Sequence, residues 1–144
     1  MSYSLDANIL LYASNSGAKE HGAAIECLQA RAQDPDLLCL TWPTLMAYLR
    51  IATHPSIFAA PLTLKMAWEN IEKLIALPRV MLISETSGFA RNFQSATKGL
   101  NIRGNLVPDA HIAALLQLHG VTRFYTADSD YRKFGFLEVI NPFT

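Results

Sequence analysis

The sequence predicts an α/β fold: one domain over residues 1–144, an α/β/α sandwich on a four- or five-stranded, mainly parallel sheet. Two observations lead there. Short apolar runs alternate with helical patterns along the whole chain, and no repeat, low-complexity tract or Gly/Ser linker interrupts them. The apolar runs are continuous rather than alternating, which suits strands covered on both faces by helices. With 144 residues, 51% hydrophobic and 17% charged, the chain can bury a core without disulfides or a structural metal.

The elements follow in order. Residues 2–6 read as the first strand, closing on Asp6, which opens a helix in ANILLY. A second helix is expected over 19–33 and a strand over 37–41 (LLCLT). The next helix starts at Pro43, since proline is welcome in a first turn, and Thr53-His54-Pro55 ends it. Leu64, Ala67, Trp68, Ile71, Leu74 and Ile75 recur at helical spacing, giving an amphipathic helix. A strand over 80–84 (VMLIS), a helix over 86–98 and an exposed loop at NIRGN, 101–105, come next. Pro108-Asp109 opens a late helix whose Ile112, Leu115, Leu116 and His119 share a face, and Gly120 ends it. Strands over 122–127 (VTRFYT) and 137–140 (LEVI) complete the sheet.

Composition removes several classes of function. The formal net charge is zero, so no overall basic field draws polyanions, and any nucleic acid must be held by a local patch. The first residues carry no basic stretch followed by an apolar one, and nothing approaches the roughly 20 apolar residues of a membrane span. A cytoplasmic protein without a membrane partner is expected. Cys27 and Cys39 lack metal-ligand spacing and read as buried thiols. Among the histidines, His21 and His119 read as surface or edge-of-core residues, and His111 as helix packing or a rim donor.

Four acids carry the chemical signal. Asp6, Asp109, Asp128 and Asp130 sit where predicted strands give way to helices or where helices open. Singly, each is explained by helix capping or turn formation. Together, junctions ending in acid rather than in Ser, Thr or Asn point to carboxylates gathered at the carboxyl edge of a parallel sheet, where such folds bind ligands. Carboxylates so gathered repel one another unless a cation lies between them, and hard oxygen donors suit Mg²⁺ or Mn²⁺. On the residues alone, a nuclease, a phosphatase and a Mg²⁺-dependent nucleotide binder all remain open.

The words around these acids narrow the choice. SLDANILLYA, TWPTLMAYLRIATHPSIF, GNLVPDAHIAALLQLHG, FYTADSDYRKF and a closing NPF, in that order, resemble the PIN-domain ribonucleases, and more narrowly the VapC toxins of bacterial toxin–antitoxin pairs. The resemblance implies hydrolytic, Mg²⁺- or Mn²⁺-dependent cleavage of RNA, with tRNA or ribosomal RNA as substrates. It carries over catalytic and metal roles to Asp6, Asp109 and Asp128, and a metal role to Asp130. Asn8 and Thr126 match residues that orient ligands or phosphate from behind, although a helix cap and a strand end explain them equally.

One position departs from the pattern. The family has a glutamate in the helix after the second strand, where MAYLR places Ala47, and no acid lies between Asp36 and Glu69 to stand in. The chain reads either as a natural variant with a reduced site or as one altered to silence a toxic enzyme, and lowered catalysis is expected in both cases. Arg50 and His54 share a helical face with Ala47, and Arg103 lies in the NIRGN loop, so these basic groups are candidates to grip RNA phosphates. Lys98, Arg132 and Lys133 lie close in sequence to the other acids.

The resemblance also implies partners: a small cognate antitoxin covering the acidic groove and a second copy of the chain. Trp42, Leu45, Met46, Ile57, Phe58 and Trp68 offer bulky apolar surface suited to a dimer face or an antitoxin groove, and equally to core packing. Two functional readings follow: a toxin endoribonuclease, and a catalytically impaired module that binds RNA or antitoxin.

Overall fold

The computed structural model describes all 144 residues. In chain order the elements are β1 (Ser2–Leu5), α1 (Ala7–Ala13), α2 (His21–Ala32), β2 (Leu37–Thr41), α3 (Trp42–Ala52), α4 (Leu64–Ile75), β3 (Val80–Ile83), α5 (Phe89–Thr97), α6 (Leu106–Leu118), β4 (Arg123–Tyr125), a 3₁₀ turn (Ser129–Lys133) and β5 (Glu138–Ile140). The five strands form one sheet in the order β3-β2-β1-β4-β5, every pair parallel. With β1 central and connections leaving it in both directions, the carboxyl ends of β1 and β4 lie side by side.

Side-chain alternation along the strands splits the core in two. Tyr3, Leu5, Leu38, Leu40 and Tyr125 point into a cluster with α1, α3 and α4, while Cys39, Ile83 and Phe124 point into a second cluster with α6. Both cysteines are free and buried.

Several boundaries differ from the sequence reading. Helix α6 begins at Leu106, so Asp109 lies in its first turn, and the preceding element is helix α5 rather than a strand. Pro108 is tolerated there because amides of a first turn have no intrahelical partner to lose. Nor is α6 amphipathic: Ala110, Ile112, Ala113, Ala114, Leu115 and Leu116 are all buried, because α5 covers the side that the sheet does not. Helix α4 is amphipathic as expected, burying Ala67 and Ile71 and packing Leu74 and Ile75 against the core, although Leu64 and Trp68 of the expected face are exposed.

The apolar set on α3, α4 and the segment between them divides likewise: Leu45 and Phe58 are core, whereas Trp42, Met46, Ile57 and Trp68 are exposed. No helix is long and apolar enough to cross a membrane.

Candidate metal centre at the carboxyl edge

Asp6 is the residue at which β1 becomes α1. Its Oδ1 accepts the Ala7 amide at 2.7 Å, a capping bond, and its Oδ2 accepts the Thr126 hydroxyl at 2.6 Å and the Asn8 amide at 3.3 Å. The capping role therefore holds, and the same side chain lies at the carboxyl end of β1 beside that of β4. Thr126, fully buried at the exit of β4, is the hub: its Oγ1 also accepts Asn8 Nδ2 at 3.2 Å and the Asp128 amide at 3.0 Å. Asn8 Oδ1 in turn accepts the Ala127 amide at 3.3 Å. Asn8 and Thr126 thus tie the ends of β1 and β4 into one rigid rim.

Asp128 caps the 3₁₀ turn, its Oδ1 accepting the Asp130 amide at 2.9 Å. That tight turn brings Asp130 back beside it, and α6 delivers Asp109 from the other side. Asp109, Asp128 and Asp130 each place one carboxylate oxygen within 4.8 Å of the others. The Asp6 carboxylate is not one of these three, and both of its oxygens are engaged, by Ala7 on one side and by Thr126 and Asn8 on the other. Its charge still reaches the trio, contributing to the raised pKa of Asp109.

The electrostatics follow from this crowding. Burial, then Asp128, lifts the Asp109 pKa to about 6, against the lowering effect of a hydrogen bond from Tyr131. Burial likewise pushes Asp6 up, opposed by its bonds from Thr126 and Ala7. An all-oxygen donor set in which carboxylates crowd together fits a hard divalent cation, Mg²⁺ or Mn²⁺.

Two contacts beside the acids join residues far apart in the chain. The Tyr131 hydroxyl donates to Asp109 Oδ1 at 3.2 Å from a ring that is 1% exposed. His111, expected as helix packing or a rim donor, pairs at the surface with Glu85 at 2.5 Å and abuts Phe89. Tyr131 stands three residues after Asp128 in YTADSDYRKF, the one hint available in the chain.

The expected RNA-gripping groups are only partly placed. Arg50 and Arg103 are exposed and make no ion pair, and His54 Nδ1 accepts the Ser56 amide at 3.1 Å. None touches an acid of the trio. Ala47 is half-buried and packs against the core cluster beneath α1 and α3.

Comparison with known proteins bears on the fold and the family. The PIN-domain family model matches residues 3–137. Ribonuclease VapC48 of Mycobacterium tuberculosis is 35% identical over 144 residues, covering 100% of this chain and 99% of the relative. Among solved structures, Mycobacterium tuberculosis VapC20, described as a sarcin-ricin loop cleaving toxin, superposes with a TM-score of 0.66 at 17% identity over 95% of this chain and 98% of its own. A toxin–antitoxin complex from Klebsiella pneumoniae superposes at 0.61 with 21% identity over 97% of each chain. A full-length relative at that identity, a family model over nearly the whole chain and a shared fold lead to one conclusion: this chain belongs to the PIN-domain family, among proteins of the VapC type.

Proposed function

We propose that this protein is a metal-dependent endoribonuclease toxin that hydrolyses phosphodiester bonds of structured RNA and is neutralised by a cognate antitoxin. The observation that carries the reading is the convergence of Asp109, Asp128 and Asp130 within 4.8 Å at the sheet edge. Asp6, Asp109 and Asp128, with Asp130 beside them, would hold Mg²⁺ or Mn²⁺. The cation would supply charge neutralisation at the phosphodiester and a lowered pKa for the attacking water.

The chain's own residues do the positioning. Thr126 and Asn8 hold Asp6 and the Asp128 backbone in fixed register, so the acidic edge does not rearrange when substrate arrives. Arg50, His54 and Arg103 are assigned to phosphates flanking the cut. The VapC20 relative's loop-cleaving description supports ribosomal RNA as a substrate class, with tRNA as the other class to test. The Klebsiella complex supports an antitoxin partner, and the exposed Trp42, Met46 and Trp68 support association of two copies.

Ala47 favours a second reading, a PIN domain that binds RNA or antitoxin with little turnover. Purified protein and its Ala47→Glu form, incubated with tRNA and ribosomal RNA in Mg²⁺, Mn²⁺ or chelator, separate the two. Discrete fragments that need metal, and a rise of roughly tenfold or more on restoring the carboxylate, are expected for the nuclease. No cleavage by either form with either metal would overturn it and leave the binding module.

A further inference from the structure

Asp109 is the one acid of the trio that does not share a segment with the others. Asp128 caps the 3₁₀ turn that holds Asp130, and the two are locked together by the bond from the Asp130 amide to Asp128 Oδ1. Asp109 arrives from α6, so the gap between it and the pair depends on how two separate elements are joined. Like charges push that gap open.

Tyr131 belongs to the same 3₁₀ turn as Asp130, and its hydroxyl donates across the gap to Asp109 Oδ1 at 3.2 Å. Its ring is packed edge-on against Phe124, centroids 4.7 Å apart, and tilted against Phe134 at 6.2 Å. A ring held this way has no freedom to redirect its hydroxyl. Phenylalanine would satisfy the packing alone, and a buried hydroxyl is costly unless it is hydrogen-bonded, so the oxygen has its reason in the bond to Asp109.

We propose that Tyr131 is a positioning residue of the metal centre: it fixes the α6 carboxylate of Asp109 at ligating distance from the Asp128–Asp130 turn. The inference rests on the metal reading above and adds a residue that acts through Asp109 rather than on the metal or the RNA. Outer partners of ligating carboxylates commonly change metal affinity by about 10- to 100-fold.

The test is Mn²⁺ binding to the full chain, followed by the electron paramagnetic resonance signal of free Mn²⁺, with melting of the metal-free protein measured in parallel. Tyr131→Phe is expected to weaken Mn²⁺ binding by roughly tenfold while leaving metal-free melting and near-ultraviolet dichroism as in wild type. In an Asp109→Asn background the same substitution is expected to cause no further loss, because its target carboxylate is gone. Unchanged affinity in Tyr131→Phe, an added loss in the double variant, or a weakening matched by lost metal-free stability would each overturn the positioning role. A wild type that binds no Mn²⁺ would instead overturn the metal reading itself, and the proposal with it.

Discussion

Burial and the neighbouring Asp128 lift the Asp109 pKa from 3.8 to about 6, so folding favours the protonated acid. Stability from this group is fully present below 3.8 and is lost as pH rises through about 6. Asp109→Asn is therefore expected to raise the melting temperature of the metal-free protein at neutral pH. The gain should fade as pH drops toward 4, while Mn²⁺ stabilises the variant less than the wild type; melting curves across pH with and without Mn²⁺ check both. Thr126 behaves oppositely: its hydroxyl serves Asp6, Asn8 and the Asp128 amide from a fully buried position. Thr126→Ala strands those groups and should cost about 1–3 kcal/mol in urea unfolding, together with weaker Mn²⁺ binding. A stability loss with metal affinity intact would reduce Thr126 to a strand-end residue.

Helix α6 shows how packing along an element directs a carboxylate at its first turn. Its buried circumference pins it between sheet and α5, and the first turn then has one direction in which to present Asp109. The far end is closed by a Schellman arrangement: the Gly120 amide reaches the Gln117 carbonyl at 3.1 Å and the Val121 amide reaches Leu116 at 2.8 Å, with Gly120 at φ +70°. Added side-chain atoms meet nothing at Gly120, so the penalty for substitution is conformational alone. Gly120→Ala should lower stability by about 1 kcal/mol without altering Mn²⁺ affinity, since the strain lies at the opposite end of α6 from Asp109. Chemical denaturation paired with metal titration measures this, and a changed affinity would show that the two ends of α6 are mechanically coupled.

At the scale of the whole molecule, α3 and α4 expose a stacked pair, Trp42 and Trp68, with ring planes 8° apart, beside the half-exposed Met46. Contiguous aromatic surface of this kind suits burial against a second copy. Trp68→Glu should shift the chain toward monomer in analytical ultracentrifugation while its melting temperature changes little, because Trp68 contributes to no buried cluster. A mass unchanged between the two forms would remove α3 and α4 from any self-association.

The strand order of apolarity, the cysteines' burial, the carboxyl-edge placement of Asp6 and Asp128, and the family resemblance were all legible in the chain, because each rests on local periodicity or on short words. Three matters needed the tertiary structure. Asp109 entered the site from a helix–loop–helix junction, since Pro108 permits an earlier start than its position suggests. Asp130 comes beside Asp109 and Asp128, and Asp6 is bound by Thr126, a partner 120 residues away, only once the chain is folded. Tyr131 gained its role only when α6 met the 3₁₀ turn, for sequence spacing describes neighbours along one element, and a metal centre is built from distances between elements.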